Sequence, residues 1–196
     1  LTTDEAGPTA TPTYNQGNIT INVTDAGAGI KSVGGDDTHY TDYPTSAPSV
    51  EVTGDAASIA LLDALDNPGS VDIDRTAPSA TKGYYKGTKG ILTVEDGDSG
   101  LWKIAKTDGT EILPVTGKQS QRKTFTLDEG ETQVKVYDQA GNTTNEAITL
   151  TLDETAPQLN VEYREGKYYI TATDSGAGIW KITNATGDIV LANYGE

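Results

Sequence analysis

Residues 21–30 read INVTDAGAGI, residues 92–101 read LTVEDGDSGL, and residues 170–179 read ITATDSGAGI. The three align without a gap. Asp25, Asp96 and Asp174 are therefore equivalent, then Gly29, Gly100 and Gly178, then Ile30, Leu101 and Ile179. Each copy follows an alternation of apolar and polar residues, as in Ile19-Thr20-Ile21-Asn22-Val23-Thr24, Leu92-Thr93-Val94-Glu95 and Ile170-Thr171-Ala172-Thr173. A period of two rich in β-branched residues predicts a strand with one buried face, and the Asp and Gly that follow predict a turn. Three copies of one strand-turn unit predict a tandem array.

A second element recurs upstream. Asp74-Arg75-Thr76-Ala77-Pro78 matches Asp153-Glu154-Thr155-Ala156-Pro157, with a looser form at Asp4-Glu5-Ala6-Gly7-Pro8. From each Pro to the next repeat Asp the distance is 17, 18 and 17 residues. The span from Thr76 to Asp153 carries strand patterns starting near Ala80, Gly90, Trp102, Glu111, Arg122, Gln133 and Glu146. Turn residues separate them, and seven short strands in about 75 residues is the immunoglobulin-like count. No stretch holds a helical period. The nearest to one, Ser58 to Leu65, aligns with a strand of the second copy. The Trp that follows Leu101 or Ile179 is expected in the core at the start of the third strand.

The expected fold class is all-β, with tandem immunoglobulin-like β-sandwiches in an elongated array. Residues 1–6 read as the end of a preceding repeat or a linker, because LTTDEAGP at 1–8 is similar to LTLDETAP at 150–157. Residues 7–75 form a divergent first repeat, 76–154 a second, and 155–196 the first half of a third.

Composition narrows the function classes. The formal net charge of −15 argues against partners made of nucleic acid phosphates or anionic lipid. Without Cys there are no disulfides and no thiolate metal sites. The single His, His39, excludes His-rich zinc sites and leaves any Ser-His-Asp system resting on that one residue. It lies among aromatics in Thr38-His39-Tyr40-Thr41-Asp42-Tyr43 and reads as an exposed loop residue. No carboxylate pair sits in a pattern specific to glycoside hydrolysis. The expectation is a chain that is not an enzyme, with no membrane insertion in this segment. Leu113-Pro114-Val115-Thr116-Gly117 resembles a sortase substrate, but Lys118-Gln119-Ser120-Gln121-Arg122 and another strand follow where an apolar span would be required.

Three features together resemble bacterial Ig-like repeat domains. These are Asp-x-Thr-Ala-Pro at the junction, the Thr/Val-rich strand ending in Asp-x-x-x-Gly-Ile, and Tyr137-Asp138-Gln139-Ala140-Gly141-Asn142 before the last strand. The first repeat carries Asp63-Ala64-Leu65-Asp66-Asn67 in the last position, and Lys31 where the others have Trp. The resemblance implies an extracellular or cell-surface location and a structural stalk or adhesin segment, with a host or cell-surface protein or a glycan as the partner class. The alternative it leaves open is a glycan- or protein-binding accessory module of an extracellular enzyme. For a binding module, Tyr40 and Tyr43 are the candidate ligand-binding residues, with Tyr84-Tyr85 as a second aromatic pair; a stalk should show no such binding. Some domains of this resemblance carry a Lys–Asn cross-link, for which Lys82, Lys86, Asn142 and Asn145 are available.

The sharpest chemical expectation is calcium. In an immunoglobulin-like sandwich the incoming chain lies beside the loops after the second and sixth strands. That gathers Asp72 and Asp74 with Asp96, Asp98 and Asp138, then Asp153 and Glu154 with Asp174, and Asp4 and Glu5 with Asp25 and Asp63. Asp74, Asp96, Asp98, Asp138, Asp153 and Asp174 are the candidate metal ligands, because a hard cation takes six to eight oxygens. The competing reading is that each Asp bonds its own turn backbone and that Arg75 supplies the opposing charge.

Overall fold

The computed structural model describes residues 3–34 and 38–192, without the side chains of Lys82 and of residues 190–192. The chain is all-β. Among the described residues there is no helix, and several antiparallel sheets form without closing a barrel.

The strands fall into three sets. The first holds β1 (Thr9–Asn15), β2 (Asn18–Thr24), β3 (Ile30–Val33), β4 (Thr38–His39), β5 (Ser46–Glu51), β6 (Ser58–Asp63) and β7 (Pro68–Asp72). The second holds β8 (Ser79–Lys86), β9 (Lys89–Glu95), β10 (Leu101–Ala105), β11 (Glu111–Pro114), β12 (Gln121–Thr126), β13 (Gln133–Asp138), β14 (Ile148–Thr149) and β15 (Thr151–Leu152). The third holds β16 (Gln158–Arg164), β17 (Lys167–Thr173), β18 (Lys181–Thr183) and β19 (Ile189–Ala192).

In the first set, β1-β2-β5 form one sheet and β4-β3-β6-β7 another. Ile19, Ile21 and Val23 of β2 meet Ile30 and Val33 of β3 and Leu61 of β6 in one buried cluster. In the second set, β12-β9-β8-β15 and β11-β10-β13-β14 repeat the arrangement. Leu92 and Val94 of β9 there meet Leu101 and Ile104 of β10 and Val134 and Val136 of β13. Burial alternates along β2 and β9 as the apolar period requires. Two sheets closing on one apolar cluster fit a β-sandwich. The segment from Ser58, nearest to a helical pattern, is the strand β6.

Two details differ from the sequence reading. Trp102 is half-buried and stands outside the core cluster. A bulge in the β10–β13 pairing between Leu101 and Lys103 leaves Leu101 and Ile104 pointing inward. Trp102 then lies edge-on to Tyr137, with the Lys103 ammonium 4.3 Å from its ring centre. The final strand also divides. β14 pairs antiparallel with β13, the chain crosses at buried Leu150, and β15 pairs parallel with β8.

The first two sets touch directly. The N–H of Gly17, in the β1–β2 turn, donates to the Gln139 carbonyl at 3.0 Å, and the Gln16 N–H donates to Gln139 Oε1 at 3.0 Å. Ala140 inserts into the first core cluster. A Cβ placed on Gly141 would stand 2.9 Å from the Gly17 Cα, so two glycines permit this approach.

Candidate functional site

The repeated Asp-x-x-x-Gly turn is a hydrogen-bonded unit. Asp25 Oδ1 accepts the N–H groups of Gly27 and Gly29 at 2.9 and 2.8 Å. Asp96 Oδ1 accepts those of Asp98 and Gly100 at 3.2 and 2.6 Å, and Asp174 Oδ1 those of Gly176 and Gly178 at 2.9 and 2.8 Å. The last glycine has φ of 85°, 90° and 77° in the three copies, a region costly for any residue with a Cβ.

A second carboxylate comes from the incoming segment and caps the same turn. Asp4 Oδ2 accepts from the Ala28 N–H, Asp74 Oδ2 from Ser99 and Asp153 Oδ2 from Ala177, at 2.5, 3.0 and 2.7 Å. The third carboxylate ends β6 or β13. Asp138 accepts the Asn142 backbone N–H at 2.8 Å on Oδ1 and its side-chain amide at 2.8 Å on Oδ2. Asp63 makes the matching bonds with Asn67, both at 2.7 Å. The Asn142 amide also reaches the Asp74 and Thr76 carbonyls at 3.3 and 3.1 Å, and the Asn67 amide reaches the Asp4 carbonyl at 3.0 Å. One asparagine thus ties the incoming chain to the loop in each of the first two sets.

Two triads result: Asp4, Asp25 and Asp63, and Asp74, Asp96 and Asp138. Within each, one oxygen from every carboxylate lies within 4.8 Å of the others, and all but Asp4 are buried. Unit charges 4 Å apart repel by about 4 kcal/mol at an effective dielectric of about 20. The Arg75 guanidinium, the nearby cation in sequence, donates instead to the Gly54 and Ala56 carbonyls at 2.7 and 3.3 Å.

Of the predicted ligands, Asp74, Asp96 and Asp138 come together. Asp98 does not: its side chain is exposed, and only its N–H joins the turn. Asp153 and Asp174 share one turn, both half-buried, with no third carboxylate beside them among the described residues. Asp72, Glu5 and Glu154 are exposed. The sequence motifs include Asn67 and Asn142, and the latter is a cross-link candidate, but neither is expected from its motif at the carboxylate site. Their signal is the shared Asp-x-x-x-Asn spacing of Asp63…Asn67 and Asp138…Asn142.

Tyr40 packs against the first core and Tyr43 is exposed, with no ring contact joining them among the described residues. His39 is an exposed residue of β4. The Lys82 side chain, a cross-link candidate, lies outside the described residues, and the Asn142 amide is engaged by Asp138 and two carbonyls. A groove of about 770 Å³ is lined by residues that include Tyr84, Tyr85, Arg122, Gly178 and Trp180.

Burial pushes the Asp138 carboxyl up to about 6, and the neighbouring Asp74 and Asp96 charges add to the rise against the Asn142 donors. Asp96 is also raised, chiefly by burial. Asp63 moves the other way: burial opposes it, but hydrogen bonds donated by Asn67 and Leu65 outweigh the burial. An acid whose folded value exceeds its unfolded one gives stability that is complete below the unfolded value and lost as pH rises through the folded one. Without metal, the second set should therefore be most stable near pH 4, the unfolded value, and lose stability as pH rises through about 6. Melting in chelator across that range, with the Asp138 carboxyl carbon followed by NMR, checks this. A midpoint that rises with pH would contradict it.

No family model, curated protein or solved structure matches the chain.

Proposed function

We propose that the chain is a non-catalytic structural segment, a stalk or adhesin piece of a bacterial cell-surface protein, built from tandem immunoglobulin-like units at 7–75 and 76–154 and the first half of a third at 155–196. Calcium held by the carboxylate triads fixes the junctions between units. The observation that carries this reading is the twice-built triad, which draws one carboxylate from the incoming segment and two from loops of the unit that follows. The segment joining Val71 and Ile73 of the first core to the second set thus contributes Asp74 to a site on the second set. A divalent cation at that point replaces mutual repulsion with attraction and joins one unit to the next. All-oxygen donors in a site with backbone N–H groups already committed suit a hard cation.

Calorimetry in calcium and in chelator tests the reading. At a free calcium concentration 100 times Kd, a cation that binds only the folded form adds about 2.7 kcal/mol. For a unit of this size that raises the melting midpoint by about 10–20 °C. Chelator reverses the gain, and Asp138→Asn removes the second unit's share. Equal midpoints in calcium and chelator would rule calcium out.

A further inference from the structure

Two units joined by a short linker move against each other by default. The first two strand sets are joined by residues 73–78, between β7 and β8, and this linker is held on both sides. Ile73 is buried in the first core. The Asp74 carboxylate and the Asp74 and Thr76 carbonyls are bonded to Ser99 and Asn142 of the second set. Three attachments then reach three different parts of the first set. The Asp74 N–H donates to the Tyr14 hydroxyl of β1 at 2.9 Å. The Arg75 guanidinium donates to the Gly54 and Ala56 carbonyls between β5 and β6. The loop after β13 takes the β1–β2 turn: Gln139 accepts the Gly17 N–H on its carbonyl and the Gln16 N–H on Oε1, and Ala140 enters the first core. Ties at three separated points leave the two sets no axis to turn about. The receiving loop is also pre-formed by its own set. The Gln139 N–H donates to the Gly100 carbonyl at 2.7 Å, its side-chain amide to the Leu101 carbonyl at 3.1 Å, and the Ala140 N–H to the Ser99 hydroxyl at 3.2 Å. Gln139 thus faces both ways: its two N–H donors hold the second set, and its two oxygens hold the first.

We infer that Gln139-Ala140-Gly141 is a clamp for the hairpin turn Gln16-Gly17 of the preceding unit, and that it locks the first two units in one orientation. The inference rests on the tandem-unit reading and goes beyond the calcium reading. A cation would tie Asp74 of the linker to the second unit. The clamp instead grips the body of the first unit, through contacts that need no cation, so the orientation holds whether or not one is bound.

The chain has no Cys, so spin labels at Glu51→Cys and Glu129→Cys, both exposed positions, read a single distance between the first and second units. Double electron–electron resonance on the full chain should give one narrow distance in calcium and in chelator alike. Ala140→Glu puts a charge into the first core, and Gly141→Ala puts a Cβ 2.9 Å from the Gly17 Cα. Each should widen the distribution by about twofold or more, as a free linker would, and speed exchange of the Gly17 amide by about tenfold. Gly130→Ala is the control for backbone strain: its φ is 81° and a Cβ there meets nothing within 4 Å, so the distance should stay narrow. Protection of β2 and β9 amides in each variant shows that both units remain folded. A broad distribution for the otherwise unaltered chain in chelator overturns the clamp, as does a narrow one for folded Ala140→Glu. Melting midpoints separate the two levels. If calcium raises them while Ala140→Glu and Gly141→Ala leave the distance narrow, only the clamp fails. If calcium moves no midpoint while the two variants widen a narrow distance, only the calcium reading fails.

Discussion

Ile104→Ala should unfold the second strand set well before the first. Ile104 is 0% exposed, pairs within its own sheet with Val136 of β13, and shares one core cluster with Leu92 and Val94 of the other sheet. Removing a buried Ile side chain to Ala costs about 2–5 kcal/mol, part transfer and part cavity. A loss of about 3 kcal/mol lowers the midpoint of a domain this small by about 12–24 °C. The first core is a separate cluster that takes only Ala140 from the second set, so its own transition should move by less than about 1 kcal/mol. Calorimetry with hydrogen exchange on β2 and β9 would resolve the two transitions. If both sets lose stability together, the two cores are a single folding unit and the tandem reading is wrong.

Asn142→Ala comes second in size. Its amide donates to Asp138 Oδ2 and to the carbonyls of Asp74 and Thr76, so alanine strips three acceptors of one donor, one of them on a fully buried carboxylate. Leaving buried polar groups unpaired costs about 1–3 kcal/mol, more for a charged one, which puts the loss near 3 kcal/mol. A readout specific to this role is the Asp138 carboxyl. The Asn142 bonds hold it down against burial, so their removal raises its value from about 6. Asn67→Ala should act in the same way on the first set, through Asp63 and the Asp4 carbonyl. A loss below about 0.5 kcal/mol, with the Asp138 titration unmoved, would show that the asparagine is incidental.

The strands and the Asp-x-x-x-Gly turns were legible because both are local. A period of two declares a buried face, and a glycine at φ of 85–90° beside an aspartate four residues back declares a hydrogen-bonded turn. The strand starts near Gly90, Glu111 and Gln133 fall within a residue of the observed ones. The gathering of Asp74, Asp96 and Asp138 followed from topology, since these residues share one end of the fold. What was not legible depends on direction. Asp98 sits two residues into the turn, where its N–H faces Asp96 and its side chain faces water. Trp102 was displaced by a bulge, which no spacing rule announces. Asn67 and Asn142 carry no charge, so a search for cation ligands passed over the side chains that hold the site together. The burial of Tyr40 against the core, with Tyr43 outside it, depends on a loop path that the sequence alone leaves open.

The divided last strand has a mechanical consequence. β15 runs parallel to β8, so the start and finish of the second set are bonded side by side, through Thr151 with Tyr84, Leu152 with Tyr85, and the Asp153 N–H on the Tyr85 carbonyl. Tension along the chain pulls these two strands past each other and loads their bonds together in shear. In the first set β7 pairs with β6, and no ladder joins it to β1 among the described residues. There the start and finish are held by the close backbone packing of Gly7 and Pro8 on Pro68 and Gly69 and by the Asp74 N–H on the Tyr14 hydroxyl, so the two sets answer a pulling force through different ties although their cores are built alike.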